Sequence, residues 1–394
     1  MSNHHKSRRY HLINRLFSYE LRSIFRDPAV LMFCVFVPLG YPLLYSFLYD
    51  KEVVREVPVA VVDDNRTGLS REFVRKVDAT ADVDIVAHCA DMAEAKALVR
   101  ERKVYGVIYM PTDFTRNLAR GEQVSIGAYA DLSGMLYYKA ILTAATNVSL
   151  DLNARIKVER MPSTTNEQDR VTQQPIAYEE VSLFNPQAGF ATFLIPAVLI
   201  LVLHQTLLLG IGILAGTDRD KGRNRLLRPL AKTPTALASA VAVKGMAWLL
   251  VYLPVSVYVC GVVPHLFSLV QLSSPLHMAC LFVPFLLATI FFAITISYFV
   301  RHREAVILLV VFSSVIFLFI SGISWPGSAI PPVWKAVSYI LPSTFGINAF
   351  IAMNNMGASL MDVRPSLILL WVQVGIYFLT ACASLWGRAR ESRQ

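Results

Sequence analysis

The stretch FATFLIPAVLILVLHQTLLLGIGILA, residues 190–215, decides the fold class, because it is a long apolar run without a single Lys, Arg, Asp or Glu. A helix that crosses about 30 Å of hydrocarbon needs about 20 mostly apolar residues. Five further runs of this character are Val30–Tyr49, Gly245–Val263, Leu276–Val300, Ala305–Ile323 and Ser366–Trp386. The six runs predict an α-helical polytopic membrane protein with six transmembrane helices.

A long polar segment, residues 50–187, separates the first apolar run from the second. It alternates short β-branched stretches with amphipathic ones, which is typical of a small α/β domain with a largely parallel sheet. The predicted strands are Val57–Val62, Val83–Ala87, Val104–Met110 and Val124–Tyr129. The predicted helices are Ser70–Val77, Asp91–Glu101, Asp113–Ala119 and Tyr137–Arg160. We therefore predict an inserted α/β domain.

The charge distribution argues against nucleic acid as a partner, although the net charge of the 394 residues is +9. Residues 50–185 hold 17 Lys and Arg against 21 Asp and Glu, whereas the rest of the chain holds 20 against 7. The positive charge therefore lies in the short segments that flank the apolar runs, as the positive-inside rule predicts for cytoplasmic segments.

The same rule predicts the topology. Basic residues mark the N-terminal segment, residues 216–235 and the C-terminus, whereas residues 264–275 have no Lys or Arg. Both termini are expected in the cytoplasm and the inserted domain outside the cytoplasm. We predict that residues 1–28 form an interfacial segment, 29–49 the first span and 50–187 the inserted domain. Residues 188–387 are predicted to form a five-helix transmembrane domain, with a cytoplasmic loop at 216–235 and an apolar outer loop at 324–365. Residues 388–394 are predicted to form a cytoplasmic tail.

Two segments beside the spans have patterns of their own. Tyr10–Phe25 predicts an amphipathic helix in the membrane interface, with Leu12, Leu16, Tyr19 and Phe25 on one side, and Asp27-Pro28 is expected to end it. The alternative is that its arginines are only topology signals. The Pro- and Trp-rich outer loop predicts short re-entrant or interfacial helices.

Motifs for catalysis are absent from the sequence. There is no Walker-type Gly-x-x-x-x-Gly-Lys-Ser/Thr loop, no Gly-x-Gly-x-x-Gly, no Cys/His metal spacing and no nucleophile–base constellation. We therefore predict that the chain is not an enzyme and binds no cofactor or metal itself. Asp63-Asp64 could bind a cation, but the turn that ends a strand explains this pair better.

Polar residues inside the apolar runs are candidates for a translocation pathway, because such groups usually face a bundle interior or a wet cavity. They are His204, Gln205 and Gln373. The alternative for His204 is a hydrogen bond across a helix pair that only holds packing. Lys244 precedes the third run, so we expect it at a span end, where its ammonium group can reach the interface.

Several motifs along the chain resemble one family. Val57-Pro58-Val59-Ala60-Val61-Val62-Asp63, Gly106-Val107-Ile108, Pro111-Thr112-Asp113-Phe114, Thr233-Pro234, Lys244-Gly245 and Pro342-Ser343-Thr344 occur in order. In this order they resemble the permease subunit of type 2 ATP-binding-cassette (ABC) transporters, in the branch with a large periplasmic domain between the first two spans. The chain departs from the family pattern at two places. Where the family often has Glu-x-Glu-x-Gly-Thr, this chain has Asp218-Arg219-Asp220-Lys221-Gly222-Arg223. Where many members have Arg, this chain has Phe350.

The resemblance implies a permease that an ATP-binding subunit drives from the cytoplasm, with a second permease subunit, identical or paralogous, beside it. Contact with the ATP-binding subunit would fall on two segments, whose charged residues are Glu20, Arg22, Arg26 and Asp27, then Asp218, Arg219, Asp220, Lys221 and Arg223. ATP would be bound by the partner only. The expected cargo is amphipathic or lipophilic, exported across the bacterial cytoplasmic (inner) membrane, and a periplasmic adaptor is a further possible partner.

Two other classes of function compete with this interpretation. A membrane-anchored receptor or sensor would use the outer domain to bind a ligand, but five spans after that domain and short cytoplasmic segments disfavour it. An intramembrane enzyme is disfavoured because the spans lack paired catalytic groups.

Overall fold

The computed structural model describes residues 2–160, 165–173, 183–185, 189–222, 233–300, 302–325 and 327–391. The chain divides into two compact units. The first unit comprises Met1–Asp50 and Ala188–Gln394, and the second unit comprises Lys51–Gln187. Each unit has an apolar core of its own.

The elements are named here in chain order. The first unit begins with α1 (Ser2–Arg26) and α2 (Pro28–Leu48). The second unit contains β1 (Val57–Asp63), α3 (Gly68–Asp78), β2 (Val83–Cys89), α4 (Met92–Arg100), β3 (Gly106–Met110), α5 (Phe114–Ala119), β4 (Gly127–Ala130), α6 (Met135–Glu159) and α7 (Asn166–Gln173). The first unit then continues with α8 (Phe190–Asp220), α9 (Pro234–Leu266), α10 (Pro275–Ile296), α11 (Arg303–Ile320), α12 (Pro332–Ser338), α13 (Pro342–Met356) and α14 (Arg364–Glu391).

Six helices in the described part of the chain are long and apolar enough to cross a membrane: α2, α8, α9, α10, α11 and α14. They coincide with the six predicted runs. The short helices α12 and α13 lie within the predicted outer loop, meet at a bend of 89°, and would make a seventh span if they crossed the membrane as a pair. The expectation of short helices there is confirmed.

The helices extend further than the apolar runs at their ends. Helix α9 begins at Pro234, where the Thr233 side chain accepts a hydrogen bond from Ala236 N at 3.4 Å, eleven residues before the predicted run. The Ala-rich segment between them is a good helix former, although it is less apolar than the rest. Likewise α8 continues to Asp220 and α14 to Glu391. The predicted loop at 216–235 and the predicted tail at 388–394 therefore both begin as helix.

Helix α8 is the centre of the membrane unit, and most of its side chains are buried. It packs against α2, α10, α11 and α13, which is possible because it has no charged residue before Asp218. At Gly216 the contact is backbone to backbone, since an added Cβ would lie 2.8 Å from Arg303 Cα. Small residues of this kind let membrane helices approach closely.

The second unit is a four-stranded sheet with strand order β2-β1-β3-β4, in which β1 is parallel to β2 and β3, and β4 is antiparallel. Successive side chains of β1 alternate between two cores, because a strand points its residues to opposite faces in turn. Val59 and Val61 pack beneath α3 and α6, whereas Ala60 and Val62 pack beneath α4. The predicted α/β architecture with a largely parallel sheet is confirmed.

The end of β1 forms the predicted turn. The Asp63 carboxylate accepts hydrogen bonds from Asn65 N (3.1 Å), Arg66 N (2.9 Å) and Ser70 Oγ (2.8 Å). All three donors belong to the turn and to the start of α3. Among the described residues, no group of three or more His, Cys, Asp or Glu side chains could hold a metal ion.

An ion pair fastens α6 to α3 in the second unit. The Arg155 guanidinium binds the Glu72 carboxylate through two nitrogens, with Nη2 at 2.9 Å from Oε2. This hydrogen-bonded guanidinium lowers the pKa of the Glu72 carboxyl below its usual value. The pair belongs to the fold of the unit and contributes nothing to the candidate site described next.

The close approach at Gly216 gives the first prediction. Gly216→Ala should lower the stability of the protein by roughly 1–3 kcal/mol, because backbone atoms cannot move aside for the methyl group as a flexible side chain could. Gly375→Ala is the matched control, since Gly375 is also helical and has open space around its Cα. Thermal unfolding of the detergent-solubilised variants measures the difference, and equal melting temperatures for Gly216→Ala and the parent would contradict it.

Candidate functional site

A buried ion pair joins α1 to α9. Glu20 is fully buried on α1, and its carboxylate pairs with the Lys244 ammonium, whose side chain is 15% exposed. The expectation that the Lys244 ammonium group is free to reach the interface is wrong, because the side chain is largely buried against Glu20. Because α9 begins at Pro234, Lys244 lies ten residues inside the helix and faces α1.

The buried side of α1 differs from the predicted one, because Glu20 and Ile24 are buried and Phe25 is exposed. Leu16, Glu20 and Ile24 recur every four residues and are buried, as one face of a helix requires. Phe25, predicted on the apolar side, is 55% exposed because it lies one residue beyond this face. The break at Asp27-Pro28 is confirmed, since Asp27 caps α2 by accepting hydrogen bonds from Ala29 N (3.1 Å) and Val30 N (3.4 Å).

Further charges surround the ion pair and form what we name the charge cluster, which comprises Tyr19, Glu20, Asp218, Lys244, Ser297 and Arg388. The Tyr19 hydroxyl donates to Asp218 Oδ1 on α8, and Arg388 Nη2 on α14 donates to Ser297 Oγ at 2.8 Å. Within the described residues, Glu20 Oε2 has no hydrogen-bond partner. The cluster encloses a cavity of about 30 Å³, which has room for a bridging water.

The charge cluster stabilises the packing of four helices, α1, α8, α9 and α14, against one another. A buried charge that loses its partner costs about 3–5 kcal/mol, because the remaining charge stays desolvated. Separation of α1 from α9 would therefore leave Glu20 or Lys244 unpaired. The cluster holds the helices together through charge interactions. It has no nucleophile beside a base, so its role is structural.

A second, open feature lies on the other side of α1 and is named the basic cleft. It has a volume of about 840 Å³ and is lined by α1, the start of α2, the end of α8 and the start of α11. Its charged lining residues are Arg15, Arg22, Arg26, Asp27, Lys221 and Arg303. Asp27 also faces Arg303 Nη2 at 3.6 Å and accepts from Thr217 Oγ1 at 3.4 Å.

The end of α8 is fastened to the turn between α10 and α11. The Arg219 guanidinium donates to the carbonyls of Tyr298 (3.4 Å) and Val300 (3.3 Å), and Asp220 Oδ1 lies 3.4 Å from His302 Nδ1. Lys221 is exposed at the basic cleft, and Arg223 lies outside the described residues. The structure thus brings Glu20 and Asp218 to one cavity and Arg22, Arg26, Asp27 and Lys221 to another.

The three pathway candidates lie in different settings. His204 is fully buried, with its ring centroid 6.0 Å from that of Phe292 on α10 and 5.8 Å from that of Phe317 on α11. Neither ring nitrogen has a hydrogen-bond partner in the described part of the chain, so the alternative of a cross-helix hydrogen bond is wrong there. Gln205 is partly exposed on the next position of α8.

Gln373 holds the bend between α12 and α13. Three consecutive carbonyls at the end of α12 each accept a hydrogen bond from a side chain. Thr344 Oγ1 donates to Ser338 O at 2.8 Å, Gln373 Nε2 donates to Tyr339 O at 2.8 Å, and the Tyr377 hydroxyl donates to Ile340 O. Irregular backbone at membrane depth requires such internal partners. Gln373 is therefore engaged by backbone in this structure.

Sequence reasoning missed Lys244, Arg303 and Arg388 as members of these sites. The signal for Lys244 was available, because a charge flanked by apolar residues on both sides is expensive in a membrane and implies a buried partner. Arg303 and Arg388 gave no such signal, since basic residues at span ends are also expected from topology alone.

Six membrane-length helices with a buried charge cluster at one end define a multi-pass membrane protein. The sequence model described as ABC-2 family transporter protein matches residues 28–383, and the chain belongs to this family. No curated protein and no solved structure matched the chain. Membership makes the chain the membrane component of an ABC transporter and implies an ATP-binding partner subunit.

The ion pair gives the second prediction. Glu20→Gln or Lys244→Gln alone should destabilise the protein by about 3–5 kcal/mol, because each leaves one buried charge unpaired. The double variant should recover most of the loss, since it leaves neither charge. Thermal unfolding in detergent measures all three variants.

The control for this cycle is Lys76→Gln, which removes the half-exposed ion pair with Asp151 and should cost at most about 1 kcal/mol. A Lys244→Gln variant as stable as this control would show that the buried pair contributes little.

Proposed function

We propose that this chain is the permease subunit of an ABC exporter that moves an amphipathic or lipophilic substrate out across the bacterial cytoplasmic membrane. A separate ATP-binding subunit supplies the energy. The observation that carries the proposal is the charge cluster, which joins α1 to α8, α9 and α14 at the end of the bundle that bears the basic segment 216–235.

In the proposed mechanism the ATP-binding subunit contacts segment 216–235, with Lys221 and Arg223 at the contact. Arg219 and Asp220 pass displacement of this segment to α10 and α11 through their bonds to Tyr298, Val300 and His302. Glu20 acts within the chain through Lys244, so α1 follows α9 as a rigid body. Asp27 carries the same movement into α2, whose first turn it caps.

The proposed pathway lies beside His204. Its ring is enclosed by aromatic rings from two other helices, α10 and α11. Separation of these helices from α8 exposes an aromatic and weakly polar surface, which suits an amphipathic molecule better than an ion. The bare nitrogens of His204 would then offer the cargo a hydrogen bond.

The arrangement in the membrane completes the proposal. Both termini lie in the cytoplasm, and the unit of residues 51–187 lies outside it, where a periplasmic adaptor could bind. A second permease subunit packs beside this one. The outward faces of α11 and α14 carry many exposed apolar side chains, which suit either lipid or that second subunit.

Copurification tests the energy source. Tagged protein purified from solubilised native membranes should carry an ATP-binding subunit, measured as ATP hydrolysis in the eluate. Lys221→Glu/Arg223→Glu should reduce this hydrolysis about tenfold or more, because like charges facing each other across an interface cost several kcal/mol. Arg116→Glu/Arg120→Glu in the second unit is the charge-matched control. Absent hydrolysis, or equal loss in both variants, would contradict the coupling proposal.

Thiol labelling tests the topology. In a background with Cys280→Ser and Cys382→Ser, which removes the native thiols that are not buried, a cysteine at Thr165 should react with an impermeant maleimide added to intact cells. A cysteine at Asn224 should react only after the membrane is opened. The reverse pattern would overturn the orientation and the assignment of the second unit to the outside.

A further inference from the structure

The basic cleft has an excess of positive charge that no acidic side chain of the described residues neutralises. Arg15, Arg22, Arg26, Lys221 and Arg303 line it, against the single carboxylate of Asp27. Asp27 is committed to the first turn of α2, to Thr217 and to Arg303. Among the described residues, the other four cationic side chains have no acidic partner. The cleft therefore presents an unmatched positive field.

The arginines of α1 are arranged to act together. Arg15, Arg22 and Arg26 are seven and four residues apart, which puts them on the same side of a helix, and all three are exposed. The opposite side of α1 is fixed to the bundle by Glu20 and the apolar residues beside it. The three guanidinium groups therefore lie on a helix whose position is fixed. A planar guanidinium group can donate two parallel hydrogen bonds to a phosphate.

The location of the cleft identifies the source of the anion. Its lining includes Pro28, the first residue of a membrane-length helix, and Leu214 and Thr217 near the end of another. Phospholipid headgroups are the expected surroundings where two membrane-length helices end. Basic pockets between transmembrane helices at this level suit anionic headgroups. A volume of about 840 Å³ is also ample for one headgroup.

We propose that the basic cleft is a binding site for the phosphate headgroup of an anionic phospholipid. Arg15, Arg22 and Arg26 bind the phosphate, and Leu214 and Thr217 of α8 also line the site. The lipid then bridges α1 and α8 on the side of α1 opposite the charge cluster. This site requires only that the chain lies in a membrane, and it stands independently of the exported cargo and of the direction of transport.

Lipid binding by the purified full-length protein tests the proposal. Dioctanoyl-phosphatidylglycerol should bind and raise the melting temperature, whereas dioctanoyl-phosphatidylcholine and glycerol 1-phosphate should do so far more weakly. Comparison of the two lipids tests whether binding requires a net negative charge on the headgroup. Comparison of phosphatidylglycerol with glycerol 1-phosphate tests whether binding requires the acyl chains. Equal binding of the two lipids, or equal binding of glycerol 1-phosphate, would overturn the site.

Variants locate the binding. Arg15→Gln/Arg22→Gln/Arg26→Gln should weaken the affinity for phosphatidylglycerol on the order of 100-fold, and Arg22→Gln alone roughly fivefold, as expected for basic side chains near a membrane surface. Arg55→Gln/Arg116→Gln/Arg120→Gln removes the same charge from exposed positions of the second unit and should leave the affinity unchanged. The single variant keeps the test valid if the triple one does not fold.

Two outcomes would reject the proposal. Equal weakening by the control triple would mean that lipid is attracted by net charge alone, without a site. Unchanged lipid affinity in the α1 triple, together with loss of copurifying ATP hydrolysis, would mean that the cleft receives an acidic segment of the ATP-binding subunit. The permease assignment is tested only by the ATP hydrolysis of the copurified subunit, and the lipid site is tested by the lipid affinity. Either proposal can therefore fail without the other.

Discussion

Inside a lipid bilayer no water is available to replace a lost hydrogen bond or ion pair, so every buried polar group needs a partner within the protein. The Glu20–Lys244 pair follows from this constraint. An ammonium group ten residues inside an apolar helix is tolerable only beside an opposite charge, and α1 supplies that charge from outside the span. The ion pair therefore contributes to the position of α1 together with the buried Leu16 and Ile24.

The same constraint explains the bend between α12 and α13. At the bend, Thr344, Gln373 and Tyr377 donate side-chain hydrogen bonds to three consecutive carbonyls. Gln373, a pathway candidate by sequence, is therefore hydrogen-bonded to the backbone at the bend between α12 and α13. His204 departs from the rule, because its nitrogens are buried without hydrogen bonds in the described part of the chain. A buried polar group without a partner calls for an explanation, such as a functional role or a bound water.

The spans and the α/β unit could be predicted from sequence because their signals are local. Apolar length identifies α8, and alternating β-branched residues identify β1. The charge cluster could not be predicted in this way, since its members come from α1, α8, α9 and α14 and meet only in the folded chain. The burial of Lys244 was missed because the hydrophobic run begins after it, whereas the helix begins before it. The burial of Glu20 was missed, although Leu16 and Ile24 lie four residues to either side of it on the same helix face.

The ion pair also fixes an order of assembly. Glu20 and Lys244 are 224 residues apart in sequence. At about 5–20 residues added per second, Lys244 is synthesised roughly 10–45 s after Glu20. During that interval the α1 carboxylate stays in the aqueous interface, and the second unit, whose contacts are local to residues 51–187, has time to fold. Nascent chains that end before α9 therefore lack the partner of Glu20, although Tyr19 of α1 has its own partner, Asp218, on the earlier helix α8.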